Sequence, residues 1–216
     1  MGKGLIVTLL ILVGLGLFVG GAGCTYVGTY NELNNSSIAV DKAVGNIDES
    51  YRRRADLIPN LVEAIKAEVG AEQDIVVEYA RMRANQGGQI KLTPELMKDP
   101  QALAAYKAQQ GSLGNFLGRL MVVSEKIPDP NFSKSFQDLR TNLEGLNNRI
   151  GISIRDYNDM VEQHNQKIGS FWAGIFFGNN PKFKARDMYK AEDEKKANPL
   201  IKNMDFNTRM PKGVTP

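Results

Sequence analysis

After residue 30 the apolar positions fall at Leu33, Val40, Val44, Ile47, Tyr51, Ile58, Leu61, Ile65 and Val69. The steps are three, four or their sum, a period near 3.5 that predicts one face of a long helix. Pro59 is the breaker inside this stripe. It offers no N–H to the carbonyl of Ala55 and crowds it, so a kink is expected there. A shorter helix is expected over about Ala71–Ala84, with Ile75, Tyr79 and Met82 inward and Gly87-Gly88 as its end. Gln89–Lys98 reads as a loop. Asp99-Pro100 supplies a cap and a first-turn proline, and Leu103, Tyr106, Leu113, Leu117, Leu120 and Ile127 carry the third helix as far as Pro128-Asp129-Pro130. In the fourth, Phe132, Phe136, Leu139, Leu143, Leu146, Ile150, Tyr157, Val161, Ile168 and Phe171 hold one register for about 40 residues, roughly 60 Å.

Ahead of these stripes the pattern is of another kind. From Gly4 to Gly23 there is no charged residue, and Leu5, Ile6, Leu9, Leu12, Leu15 and Phe18 belong to an almost wholly apolar run. About 20 such residues match the roughly 30 Å hydrocarbon core of a bilayer. The leading reading is an uncleaved membrane anchor. A cleaved secretory signal ending at Gly21-Ala22-Gly23 and a lipoprotein signal with Cys24 as the acylated residue are the alternatives. Lys3 and the α-amine precede the run, whereas the first basic residue after it is Lys42. That asymmetry orients the short N-terminus to the cytoplasm and the main body outside. The whole reads as an all-α protein: an N-terminal transmembrane helix (1–24), then an elongated antiparallel bundle of long helices (25–178), then a charged tail (179–216).

Composition narrows the chemistry. The net charge of +3 over 216 residues gives no reason to invoke nucleic acid. One cysteine, Cys24, and one histidine, His164, are too few for an internal disulfide or a Cys/His zinc site. Gly111, Gly114 and Gly118 lie within a helical stripe with no preceding strand, so they form no phosphate cradle. No cofactor is expected, and no catalytic or metal-binding set stands out. His164 near the fourth seam reads as a hydrogen-bonded core or edge histidine.

Two groups rise above background. Counting in threes and fours from Tyr51 puts Arg54 on the seam, and a buried guanidinium must find carboxylates or carbonyls. The expected polar clamp is Arg54, Asp56, Pro59 and Asn60 against Arg155, Asp156, Tyr157 and Asn158 of the fourth helix, with Asp156 and Asn158 as partners. A ligand site is the alternative reading. The second group, Phe171, Trp172, Phe176 and Phe177, either caps the bundle end or sits among lipid headgroups, where aromatic rings are favoured.

Several of these segments carry a family resemblance. Tyr30-Asn31-Glu32-Leu33, Asp41-Lys42-Ala43, Asn46-Ile47-Asp48 and Arg53-Arg54-Ala55-Asp56-Leu57-Ile58-Pro59-Asn60-Leu61-Val62-Glu63 are followed by Ala80-Arg81, Ser124-Glu125-Lys126-Ile127-Pro128, Asn131-Phe132, Arg155-Asp156-Tyr157-Asn158 and Asn165. In order and spacing the chain resembles the LemA family of bacterial membrane proteins, from the anchor to about Phe177. Val44 stands where that family often has Trp, Ala71 precedes Glu72 where His-Glu is common, and Trp172 stands where a proline is usual. The resemblance implies one N-terminal transmembrane helix and a helical body. It implies no established activity, although some related proteins are associated with membrane shaping.

The expectation is therefore a non-enzymatic, membrane-anchored scaffold of the cell envelope. Its partners would be the lipid bilayer and further copies of itself, because the long stripes are expected to exceed the cover one chain can supply. The alternative is a tethered adaptor that holds a peptide, a lipid or an envelope protein partner in a bundle groove.

Overall fold

A computed structural model describes residues 2–69, 77–81, 90–124 and 130–190. It is all-helical among the described residues: α1 (Lys3–Asp56), α2 (Ile58–Val69), a short 3₁₀ turn (Leu96–Lys98), α3 (Pro100–Ser124), α4 (Pro130–Ile168) and α5 (Phe171–Phe177). A long N-terminal apolar helix is thus followed by helices that pack together, as the periodicity predicts.

Helix α1 passes from the apolar run into the first stripe without a break. Its residues from Gly4 to Gly23 are exposed, whereas Leu33, Val40, Val44, Ile47 and Tyr51 are buried. The hydroxyls of Thr8, Thr25 and Thr29 donate to the carbonyls of Gly4, Gly21 and Thr25 at 3.0, 2.8 and 2.8 Å. Each is satisfied within the helix and needs no water. The break comes at Leu57, whose N–H donates back to the Arg54 carbonyl at 3.3 Å. Pro59 at the second position of α2 withholds the N–H that Ala55 would need, so one helix ends and another begins.

The chain divides into two units. One is drawn from Met1–Lys42 and Asn158–Met188, the other from Ala43–Tyr157 and Tyr189–Pro216. In the first, Leu33, Ala173, Phe177 and Phe183 form the core, with Tyr30, Ile168 and Phe176 packed against it. In the second, α2 and α3 supply most of a larger cluster: Ile58, Leu61, Val62, Ile65, Leu113, Phe116, Leu117 and Leu120, joined by Phe136 and Leu143 of α4.

Helix α3 begins as expected. Asp99 Oδ1 accepts from the N–H groups of Gln101 and Ala102 at 2.9 and 3.2 Å, with Pro100 as the first helical residue. Residues 77–81 are helical, and Tyr79 stacks on Phe116 with centroids 6.0 Å apart. The expected positions Ile75, Met82, Gly87 and Gly88 lie outside the described residues, as do the side chains of Val69 and Phe132.

Two expectations are corrected. The fourth helix does not continue to Phe171. It stops at Ile168, and Ser170 turns to extended backbone (φ −69°, ψ 150°) before α5 starts. A glycine at 169 weakens the helix, and ending it there turns Ala173 and Phe177 inward. Gly178 then closes α5 where a Cβ would stand 2.6 Å from the Gly174 carbonyl oxygen, so no larger residue fits without displacement.

The second correction concerns cover. The stripe residues of α1 and α4 from Leu33 to Tyr51 and from Phe136 to Ile168 are buried or half-buried, and Phe171 alone among the described stripe positions is exposed. The intrachain packing covers the seam that the length argument leaves open.

Candidate functional site

The second unit holds a small, partly open cleft of about 20 Å³, lined by Asp48, Tyr51, Arg52, Ala55, Tyr106 and Gln110, among others. Helical spacing brings Asp48, Tyr51, Arg52 and Ala55 to one side of α1. Helix α3 supplies Tyr106 and Gln110, four residues apart. Tyr51 and Tyr106 meet edge to face at 5.8 Å, an arrangement favoured by the quadrupoles of the two rings.

Arg54, wholly buried, is the charge beside this cleft. Its Nη2 donates to the Gln110 carbonyl at 3.3 Å and to Gln110 Oε1 at 3.1 Å, and its guanidinium lies 5.0 Å from the Tyr51 ring centroid. The carbonyl oxygens of Gln110 and an aromatic face stabilise the cation; carbonyl partners were among those expected, but on the fourth helix and not on α3. Asp48 fixes the other wall. Its Oδ1 accepts from the Leu92 N–H at 2.8 Å and its Oδ2 from Arg52 Nη2 at 3.0 Å. Gln109 Oε1 accepts from the Ile90 N–H at 3.3 Å, so two side chains hold the extended segment after residue 90 by its main chain.

Tyr106 is 1% exposed, and its hydroxyl has no hydrogen-bond partner among the described residues. Burial first, and then the neighbouring Tyr51, push its pKa above the ordinary tyrosine range. The phenol therefore stays neutral and keeps a proton to donate. An unpaired buried hydroxyl costs about 1–3 kcal/mol, which singles Tyr106 out among the residues that line the cleft.

The predicted clamp is only partly assembled. Arg54 and Tyr157 are buried and Asn158 is half-buried, whereas Asp56, Pro59, Asn60, Arg155 and Asp156 are exposed. Arg54 Nη2 turns to Gln110 of α3 and not to Asp156. Residues 156 and 157 lie about 100° apart around a helix, so burying Tyr157 carries Asp156 towards solvent. Periodicity places Arg54 correctly on the seam but does not say which helix faces it. Ser50 and Ser153, which the stripe analysis passes over, share a buried hydrogen bond of 3.0 Å.

The first unit has a polar centre of its own. Asn165 and Arg186 exchange two hydrogen bonds of 2.9 Å: the Arg186 N–H donates to Asn165 Oδ1, and Asn165 Nδ2 donates to the Arg186 carbonyl. The Arg186 guanidinium pairs with Asp41 at 2.9 Å and donates to Ser37 Oγ at 3.1 Å. His164 is wholly buried, its Nδ1 lying 2.8 Å from Ser36 Oγ. Burial first, then the Arg186 charge, hold the His164 pKa below the ordinary range, against the opposing influence of the Lys184 carbonyl and Asp41. Asn165 and the Asp41-Lys42-Ala43 run carry the family resemblance, but nothing in their spacing foretells a partner at residue 186.

The anchor positions Leu5, Ile6, Leu9, Leu12, Leu15 and Phe18 are all exposed, on a helix segment long and apolar enough to cross a membrane. Cys24 is an exposed free thiol. Of the aromatic group, Phe177 is buried and Phe176 half-buried, while Phe171 and Trp172 are exposed. Among the described residues no three His, Cys, Asp or Glu side chains are grouped to hold a metal ion.

Comparison with known proteins agrees with the resemblance. A family model described as the LemA family matches residues 43–203. Two relatives in Paramagnetospirillum magneticum, magnetosome proteins MamQ 1 and MamQ 2, are each 27% identical to this chain over 154 residues. The aligned region is 64% of this chain and 57% of each relative, so the chain spans little more than half the length of these proteins.

Proposed function

This chain belongs to the LemA family, and on that footing we propose that it is a membrane-anchored helical scaffold of the bacterial cell envelope, not an enzyme. Its short N-terminus lies in the cytoplasm, its folded body outside, and neighbouring copies associate. The observation that carries this reading is α1 itself. One unbroken helix is apolar and exposed from Gly4 to Gly23 and buries one face from Leu33 onward, so the same element that enters the bilayer is built into the folded body. With the bundle stripes covered, association rests on the anchor. No described residue lies within 4 Å of where a Cβ would stand at Gly14, Gly16, Gly20 or Gly21, and small residues on membrane helices let a second helix come close. Tethering to one surface raises the effective concentration of every copy.

The test is light scattering of the full-length protein in mild detergent over a wide concentration range. Assemblies of several copies are expected. A protein that stays strictly monomeric ends the scaffold reading.

A second reading, a tethered adaptor, is favoured by the cleft beside Arg54. Its aromatic wall and the unpartnered Tyr106 hydroxyl suit a single hydrogen-bond acceptor atom carried by a peptide or lipid. Binding that is lost in Tyr106→Phe would support it over the scaffold.

A further inference from the structure

Helix α5 has two faces of opposite fate. Ala173 and Phe177 are 2% and 5% exposed, whereas Phe171, Trp172 and Ile175 are 72%, 50% and 58% exposed. Three large apolar side chains left bare on a seven-residue helix form a patch that needs an explanation.

Its position supplies one. Phe176 and Phe177 pack on Tyr26 of α1 with ring centroids 5.4 and 5.0 Å away, and Phe177 packs on Tyr30 at 5.9 Å. Trp172 stacks on Phe176 at 5.8 Å. The exposed indole is therefore one ring removed from Tyr26. Tyr26 lies three residues beyond Gly23, about 4.5 Å further along the helix. The run without charge extends past it to Asn31. That run is about 28 residues or roughly 42 Å of helix, against roughly 30 Å for hydrocarbon alone and 40–45 Å with both headgroup layers. With Gly4–Gly23 filling the hydrocarbon, the headgroup layer on this side is about 5–7 Å deep and takes in Tyr26 with the rings packed on it.

We infer that the exposed face of α5 is a lipid-binding collar: Phe171, Trp172 and Ile175 insert among the headgroups where the α1 span leaves the hydrocarbon. This deepens the reading of α1 as a membrane span and rests on it. The chemistry suits the layer. Indole and phenyl rings are favoured at the boundary between hydrocarbon and water. One helical turn further out, Lys182 Nζ donates to the Tyr30 hydroxyl at 2.9 Å, a cation on the outer side of the layer that suits anionic lipid headgroups. The buried face of α5 fixes the collar to the folded unit, so its depth is set by packing and not by a tether.

Trp172 is the sole tryptophan of the chain, so its fluorescence reports on this site alone. The full-length protein is reconstituted into phosphatidylcholine–phosphatidylglycerol vesicles with bromine near the carbonyl end of the acyl chains or near their termini. Retention after alkaline carbonate washing is scored in parallel. The expected result is blue-shifted emission, quenched about two-fold more strongly by the shallow bromines than by the deep ones. Protein that resists the wash while Trp172 stays open to aqueous iodide and blind to both bromines overturns the collar and leaves the span standing. Blue-shifted emission blind to bromine also overturns it, in favour of cover by a second copy. Protein removed by the wash overturns span and collar together.

Discussion

Both units bury a cationic or potentially cationic side chain, and they accommodate it in different ways. In the unit of Ala43–Tyr157, Arg54 cannot lose its proton, and burial is tolerated because Gln110 and the face of Tyr51 stabilise the charge in place. In the unit of Asn158–Met188, His164 sits at equal depth beside Arg186 and is held in the neutral form. A permanent charge fixes its surroundings. A titratable one passes the cost to the pH scale.

The comparison breaks most readily at Arg54. Arg54→Ala removes a large wholly buried side chain and strips Gln110 of its partner, and should destabilise the protein by about 3 kcal/mol, within the range for large buried truncations. Thermal and denaturant unfolding of the full-length protein in detergent measure it. A loss no larger than that of an exposed arginine would mean that the seam charge contributes nothing.

Asn165→Ala comes next. It deletes both hydrogen bonds to the main chain at residue 186, and at about 1 kcal/mol each the cost is about 2 kcal/mol. Hydrogen exchange at the Arg186 amide should accelerate sharply. An amide that stays protected would show that Asp41 and Ser37 suffice to hold the segment.

Acidification gives a smaller and reversible effect. The folded chain resists protonating His164, while the unfolded chain takes up the proton near pH 6.5, the ordinary histidine value. Stability is therefore full above that pH, falls as pH drops through it, and levels off below the depressed native pKa. His164→Gln should flatten the profile between about pH 7.5 and 5.5. Arg186→Ala should move the histidine pKa up towards its ordinary value, as read by ring-proton NMR. A profile unchanged by His164→Gln would assign the slope to other groups.

The smallest effect belongs to the surface. Arg53 bonds Glu49 at 2.9 Å with both side chains about half exposed, and Arg53→Ala should leave the unfolding midpoint almost where it was. Set beside Arg54→Ala, this neighbouring variant shows whether burial, and not the mere presence of an arginine, decides the outcome.

The periodic part of the fold was legible: the unbroken α1 and the burial of Arg54 follow from spacing, and the Asp99 cap from residue type, while the kink expected at Pro59 is a full break between two helices. The partners were not. Gln110 faces Arg54 because of how α3 lies against α1, and a single stripe carries no information about the azimuth of its neighbour. The segment after Gly178 reads as a charged tail because its apolar residues, Phe183 and Tyr189, follow no helical period, yet both are buried. Tyr106 was visible as a core position, but an unsatisfied hydroxyl is a property of what surrounds it and has no signature in sequence.

The exchange between Asn165 and residue 186 has an evolutionary side. The amide reads the N–H and carbonyl of residue 186, groups that nearly every amino acid presents alike, so it recognises a place in the chain and not a particular letter. Proline, which lacks the N–H, is the one residue that could not offer both groups. This exchange therefore ties Asn165 to a place in the chain, while Asp41 and Ser37 hold the letter at 186, and insertions or deletions between Gly178 and position 186 should be rarer than substitutions there.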